Sequence, residues 1–211
     1  MKAEHARIVE AKPLLDSGYA GCALGFEAES GDAHLVCERG DRAVVAVIDG
    51  LGHGPEAALA ARAAVRSVRE NADAAVDVLF KCCHESLRST RGAVMSLAII
   101  DGTNGTLTWA GIGNVEGLLI RGQAGNNRPN ECLLLRGGVV GFRLPPLKIS
   151  TISILPGDTL IFATDGVGRE FGRALDVSGS PSEIADYVLR RYATKRDDAL
   201  VLVSRYLGRR T

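Results

Sequence analysis

Four aspartates stand where apolar runs begin or end, and a carboxylate so placed is held by a rigid element while still reaching the edge of a fold. Asp32 follows the Glu29-Ser30-Gly31 turn, Asp49 closes the run Ala43 to Ile48, Asp165 follows Thr159 to Thr164, and Asp197 precedes Ala199 to Val203. Asp165-Gly166-Val167 echoes Asp49-Gly50-Leu51. Brought together, the four would make an all-oxygen site suited to a hard cation, Mg2+ or Mn2+, and unsuited to structural zinc. Taken one at a time, each is equally a turn residue bonded to its own backbone. The chemistry depends on whether the fold gathers them.

The stretch Arg42 to Val68 must position the central member of the set. Ala43 to Ile48 is long enough for one buried strand, Gly50, Gly52 and Gly54 form a glycine loop, and Pro55 suits the first helical turn. A two-residue hairpin is the common use of Asp-Gly, but here positions 55 to 72 have helical periodicity, with Ala57, Ala61, Ala64, Val65, Val68 and Ala72 on one face. Asp101-Gly102, between the strand-like runs Ala93 to Ile100 and Gly105 to Ala110, reads as an ordinary turn. A second helix is expected between Asp73, a suitable N-cap, and Arg88, with Cys83 on its apolar stripe in a packing role. Ser180-Pro181-Ser182-Glu183 announces a third through a capping box.

Around these lie the strands. Cys22, Leu24 and Phe26, then Leu35 and Cys37, predict a hairpin with an acidic tip. Further strands are expected at Val115 to Arg121, Cys132 to Arg136, Ile149 to Ile154, Thr159 to Thr164 and Ala199 to Arg205. Gly122 to Glu131 is polar and reads as an exposed, mobile loop. Nearly ten strands, with two helices inserted together and one near the end, do not fit a βαβ alternation. The predicted fold is α+β, a four-layer α-β-β-α sandwich of two antiparallel sheets flanked by helices, as one domain over residues 1–211.

Composition narrows the functions. With 25 basic and 25 acidic residues no global field attracts nucleic acid or an anionic membrane. Lys2, Glu4, His5 and Arg7 interrupt any signal-peptide pattern and no run of 18 apolar residues occurs, so the expected location is the cytoplasm. Five cysteines without a C-x-x-C indicate neither a disulfide framework nor a thiolate zinc site. The glycine loop lacks the Gly-Lys-Ser/Thr ending of a nucleotide-binding P-loop.

Ser30-Gly31-Asp32, Asp49-Gly50-Leu51-Gly52-His53-Gly54 with its alanine-rich helix, Leu155-Pro156-Gly157-Asp158-Thr159-Leu160 leading into Thr164-Asp165-Gly166-Val167, and Arg196-Asp197-Asp198-Ala199 occur in an order and spacing that resemble the metal-dependent protein phosphatases of the protein phosphatase 2C fold, in their SpoIIE-like bacterial branch. Gly111-Ile112-Gly113-Asn114-Val115-Glu116 is similar to the corresponding segment of a small stand-alone stressosome phosphatase. The resemblance implies two Mn2+ or Mg2+ ions, with Asp49 bridging both, the Gly50 carbonyl and Asp32 completing coordination, and Asp165 and Asp197 holding the other ion. It implies hydrolysis of phosphoserine or phosphothreonine by a metal-bound water or hydroxide, without a protein nucleophile.

The implied substrate is a phosphorylated STAS-domain protein of stressosome or anti-anti-sigma type, met by a monomer that needs no activator. A catalytically silent STAS-binding module of the same fold is the alternative. His53 is the general-acid candidate, although it lies two positions beyond the histidine that eukaryotic members carry, and a loop-structuring role is the other reading. His34 reads as a strand residue. The phosphate-binding arginine of eukaryotic relatives has no counterpart in these motifs. Docking falls to the helix beginning at Pro55 or to Gly122 to Glu131, the latter equally an idle loop.

Overall fold

The computed structural model describes residues 12–25, 29–122 and 128–209. Its first half runs β1 (Leu15–Cys22), β2 (Asp32–Arg39), β3 (Arg42–Gly50), α1 (Pro55–Glu70), α2 (Val76–Leu87), β4 (Ala93–Asp101), β5 (Thr106–Ile112) and β6 (Glu116–Ile120). The second half runs β7 (Glu131–Cys132), β8 (Leu135–Arg136), β9 (Ser150–Ser153), β10 (Thr159–Ala163), a 3-10 turn at Arg169–Gly172, α3 (Pro181–Tyr192) and β11 (Ala199–Tyr206). One sheet has the order β1-β11-β10-β6-β7, the other β2-β3-β4-β5-β8 with β9 also on β5. All these pairs are antiparallel except the two-residue pair β5 to β8.

The unbroken apolar run of β3 has a simple cause. Val44, Ala46 and Ile48 face the cluster under α1 and α2, while Ala43, Val45 and Val47 face the other sheet, so both faces are buried and the usual polar alternation is absent. β11 repeats this: Leu200 and Leu202 meet the inter-sheet core, and Ala199, Val201 and Val203 lie under α3 with Ile184 and Val188. Helix, sheet, sheet and helix are thus separated by three apolar layers. Small side chains bring α1 close, since a Cβ added at Gly50 would stand 2.1 Å from the Ala57 carbonyl oxygen.

Two sandwiched antiparallel sheets with outer helices agree with the sequence reading, as do the turn after Asp101 and the capping box in which Ser180 and Glu183 each accept from the other's backbone. Cys83 is buried in the α-side core. Three details differ. β1 does not form a hairpin with β2: it pairs with β11 in one sheet, while β2 pairs with β3 in the other; Phe26 lies outside the described residues. The register of β1 is chosen by a partner remote in sequence. Asp73 does not cap α2, which begins after Ala75; its carboxylate is taken by the Arg39 guanidinium. The predicted strand Cys132 to Arg136 divides into β7 and β8, which join different sheets.

Asp158, 1% exposed, organises the edge away from the aspartates: its carboxylate accepts from Gly122 N at 2.8 Å, Leu155 N at 3.1 Å, Arg121 Nη1 at 3.0 Å and Arg128 Nη2 at 3.0 Å. Residues 123–127 of the expected mobile loop lie outside the described residues. Among the described residues no helix is long and apolar enough to cross a membrane.

Candidate metal centre

Asp32 opens β2 and Asp49 is the next-to-last residue of β3, and the register sets them directly opposite each other. Directly paired residues of neighbouring strands present their side chains on the same face, so the two carboxylates share one corner of the six-stranded sheet. The corner is closed by Gly50 N donating to Gly31 O at 3.0 Å. From the facing sheet come Asp165, two residues beyond β10, and Asp197 and Asp198, immediately before β11. Thr164 spans the gap, its Oγ1 donating to Asp32 Oδ2 at 2.7 Å. Asn114, in the turn between β5 and β6, donates from Nδ2 to Asp165 Oδ2 at 2.6 Å.

Electrostatics shows that the carboxylates sense one another. Burial pushes the Asp32 carboxyl up to about 7, the charges of Asp198, Asp165 and Asp197 add to the shift, and the Thr164 hydroxyl opposes it. Burial also carries Asp49 up to about 8, aided by Asp32, Asp165, Asp197 and Asp198. Asp165 is raised by burial and by Asp197, with Arg169 acting against them. Among the described residues no basic side chain figures among the main influences on Asp32 or Asp49.

An all-oxygen corner fits a hard divalent cation. Among the described residues no three His, Cys, Asp or Glu side chains already have a cation-holding arrangement. The two findings are compatible, because Mg2+ keeps several waters and commonly takes only one or two carboxylates.

Of the sequence candidates, Asp32, Asp49, Gly50, Asp165 and Asp197 border this corner. His53 is exposed on the glycine loop beside it. His34 lies within β2, its ring tilted by 37° against Tyr19 with centroids 4.0 Å apart, and takes no part. Asp198 is 4% exposed and both its oxygens accept backbone N–H groups, from Leu24 at 2.6 Å and Gly31 at 2.5 Å. Asp197 is exposed and accepts the N–H of Asp198 at 2.9 Å.

Sequence reasoning gave no role to Thr164 or Asn114, although both lie in quoted motifs, and it missed Arg91. Ala93 pairs with Gly50, so the same register continued outward sets Arg91 across from Gly52; its Nη1 lies 2.9 Å from where a Gly52 Cβ would be, and it is ion-paired with Glu56. Only the strand register reveals it.

The model of the family described as Stage II sporulation protein E (SpoIIE) matches residues 39–207. Phosphoserine phosphatase RsbX of Bacillus subtilis (strain 168) is 27% identical over 191 residues, covering 90% of this chain and 89% of that protein. A solved structure from work on the bacterial stressosome, described as a modular system adapted to control secondary messenger signaling, is 31% identical with a TM-score of 0.83, covering 90% of this chain and 99% of its own. RsbX in complex with magnesium has a TM-score of 0.80 at 22% identity, with 93% and 98% of the two chains covered, a likeness of fold.

Proposed function

The chain belongs to the SpoIIE family, and from that premise we propose that it is a metal-dependent phosphatase that removes phosphate from serine or threonine of a STAS-domain signalling protein. The observation that carries the reading is the direct pairing of Asp32 with Asp49, both half-buried, mutually repelling and faced by Asp165 and Asp197 from the second sheet. In this reading Asp32, Asp49, the Gly50 carbonyl, Asp165 and Asp197 would together hold two Mn2+ or Mg2+ ions. Cations bound there supply a water of lowered pKa and offset charge on the phosphate oxygens. Thr164 and Asn114 each occupy one oxygen of a neighbouring ligand and so orient the other. Arg91, over the glycine loop, is the basic group we assign to the incoming phosphate, and exposed His53 is the candidate proton donor to the departing serine oxygen.

Docking belongs to the side of α1. Its exposed Glu56 and Leu59 adjoin Arg91. The start of the segment Gly122 to Glu131 is poorly placed to meet the substrate, because Ile120 pairs with Thr159 whereas Glu116 pairs with Ala163, so Gly122 leaves the sheet at the end opposite Asp165.

The test is phosphate release by the purified chain with Mn2+ alone, from a serine-phosphorylated STAS-domain protein and from a short peptide bearing the same phosphoserine. Faster release from the folded protein, abolished by chelation, is expected. Equal rates would remove docking as the source of selectivity, and no release from either with Mn2+ or Mg2+ would favour a silent binding module.

A further inference from the structure

The four proposed ligands arrive on two different sheets, which raises the question of what sets the distance between the halves. The apolar core between the sheets, including Val45 and Val47 against Phe162 and Leu202, excludes water but has no directional preference. Functional constellations need their groups held to about 0.5 Å. Directional bonds must do this, and at the aspartate edge two sets cross between the sheets.

The first runs through Thr164. This buried hydroxyl accepts from Leu200 N at 2.9 Å and has two acceptors in reach, Asp32 Oδ2 at 2.7 Å and Leu200 O at 3.5 Å, of which the carboxylate is much the nearer. The β-branched side chain is stiff at χ1, which suits it to transmitting position. The second runs through Asp198, whose two oxygens take the N–H groups of Leu24 and Gly31, and Gly31 O in turn receives Gly50 N. The crossing is tight: a Cβ at Gly31 would lie 2.9 Å from the Ala57 Cβ and 3.2 Å from Asp198 Oδ2.

We propose that Thr164 and Asp198 form an inter-sheet clamp that sets the spacing between the Asp32–Asp49 half and the Asp165–Asp197 half of the metal centre. Both are positioning residues, and the assignment rests on the metal-centre reading above. The fold supplies its own control. At the other end of β2, six residues or about 20 Å from Asp32, the Glu38 carboxylate accepts Leu14 N at 2.9 Å and Leu15 N at 3.1 Å, an equivalent staple remote from the aspartates.

The experiment is calorimetric titration of the metal-free chain with Mn2+, beside thermal melting without metal, for wild type, Thr164→Val, Thr164→Ser, Asp198→Asn, Asp197→Asn and Glu38→Gln. Thr164→Val and Asp198→Asn are expected to weaken Mn2+ binding about 10- to 100-fold, with Thr164→Ser within about 3-fold of wild type on the same outer-shell scale. Glu38→Gln should lower the melting temperature and leave Mn2+ affinity unchanged. If Thr164→Val binds Mn2+ like wild type, the clamp is overturned, whatever becomes of Asp198→Asn. A larger loss for Asp198→Asn than for Asp197→Asn would make Asp198 a ligand and overturn its clamp role. A wild-type chain that takes up no Mn2+ overturns the clamp together with the metal centre, whereas uptake in wild type with unaffected clamp variants overturns the clamp alone.

Discussion

Asp49 offers the sharpest test at the scale of the residue. It faces Asp32 across the ladder and its carboxyl is carried up to about 8, chiefly by burial and then by that neighbour. Asp49→Asn preserves shape and removes the half-buried charge. The variant is expected to fold, to melt at or above the wild-type temperature without metal at pH 8, and to lose Mn2+ binding and phosphate release together; turnover at the wild-type rate in limiting Mn2+ would contradict the shared-ligand role. The aspartates were legible in the sequence because each marks the end of an apolar run. Their supports were not. Thr164 and Asp32 are separated by 132 positions, and Asp198 looks like a spare copy of Asp197 until Leu24 and Gly31 are seen to occupy it.

Among the elements, α1 is seated by absence of side chain. Gly50 admits the helix because nothing projects toward the Ala57 carbonyl, 2.1 Å from its would-be Cβ and part of a backbone that cannot rotate away. Gly50→Ala should therefore push α1 outward and lower stability by about 1–3 kcal/mol, the usual result of overpacking. Denaturant unfolding gives the stability, and Mn2+ titration should weaken in parallel because Asp49 is the preceding residue; a Gly50→Ala variant as stable as wild type would mean the helix yields freely. The helices themselves were readable, since periodicity, Pro at the first turn and the capping box are local signals. Strand partners were not. The predicted first hairpin failed because β1 finds its partner in β11, at the other end of the chain.

For the molecule as a whole, the layered order was legible from the count and grouping of elements, whereas the convergence of carboxylates at one edge became visible only through register. That convergence predicts an uncommon stability profile. In the metal-free fold Asp32 and Asp49 stand near 7 and 8, against about 4 in the unfolded chain. The folded state then holds more protons between those values, so stability falls as pH rises through them. The metal-free chain should melt at a higher temperature at pH 7 than at pH 8.5, Mn2+ at pH 8.5 should restore stability, and Mn2+ uptake should release more protons at pH 7, where both carboxyls still hold them, than at pH 8.5; a metal-free melting temperature that rises over this interval would contradict the assignment. At the opposite edge, Asp158 has a practical consequence. By holding Arg121, Gly122 and Arg128 together it closes the base of the interval 123–127. With closure already made, each doubling of the interval's length costs only about 0.6 kcal/mol. An epitope or reporter peptide grafted between Gly122 and Arg128 is thus expected to leave the melting temperature nearly unchanged so long as the Asp158 contacts of the flanking residues are kept.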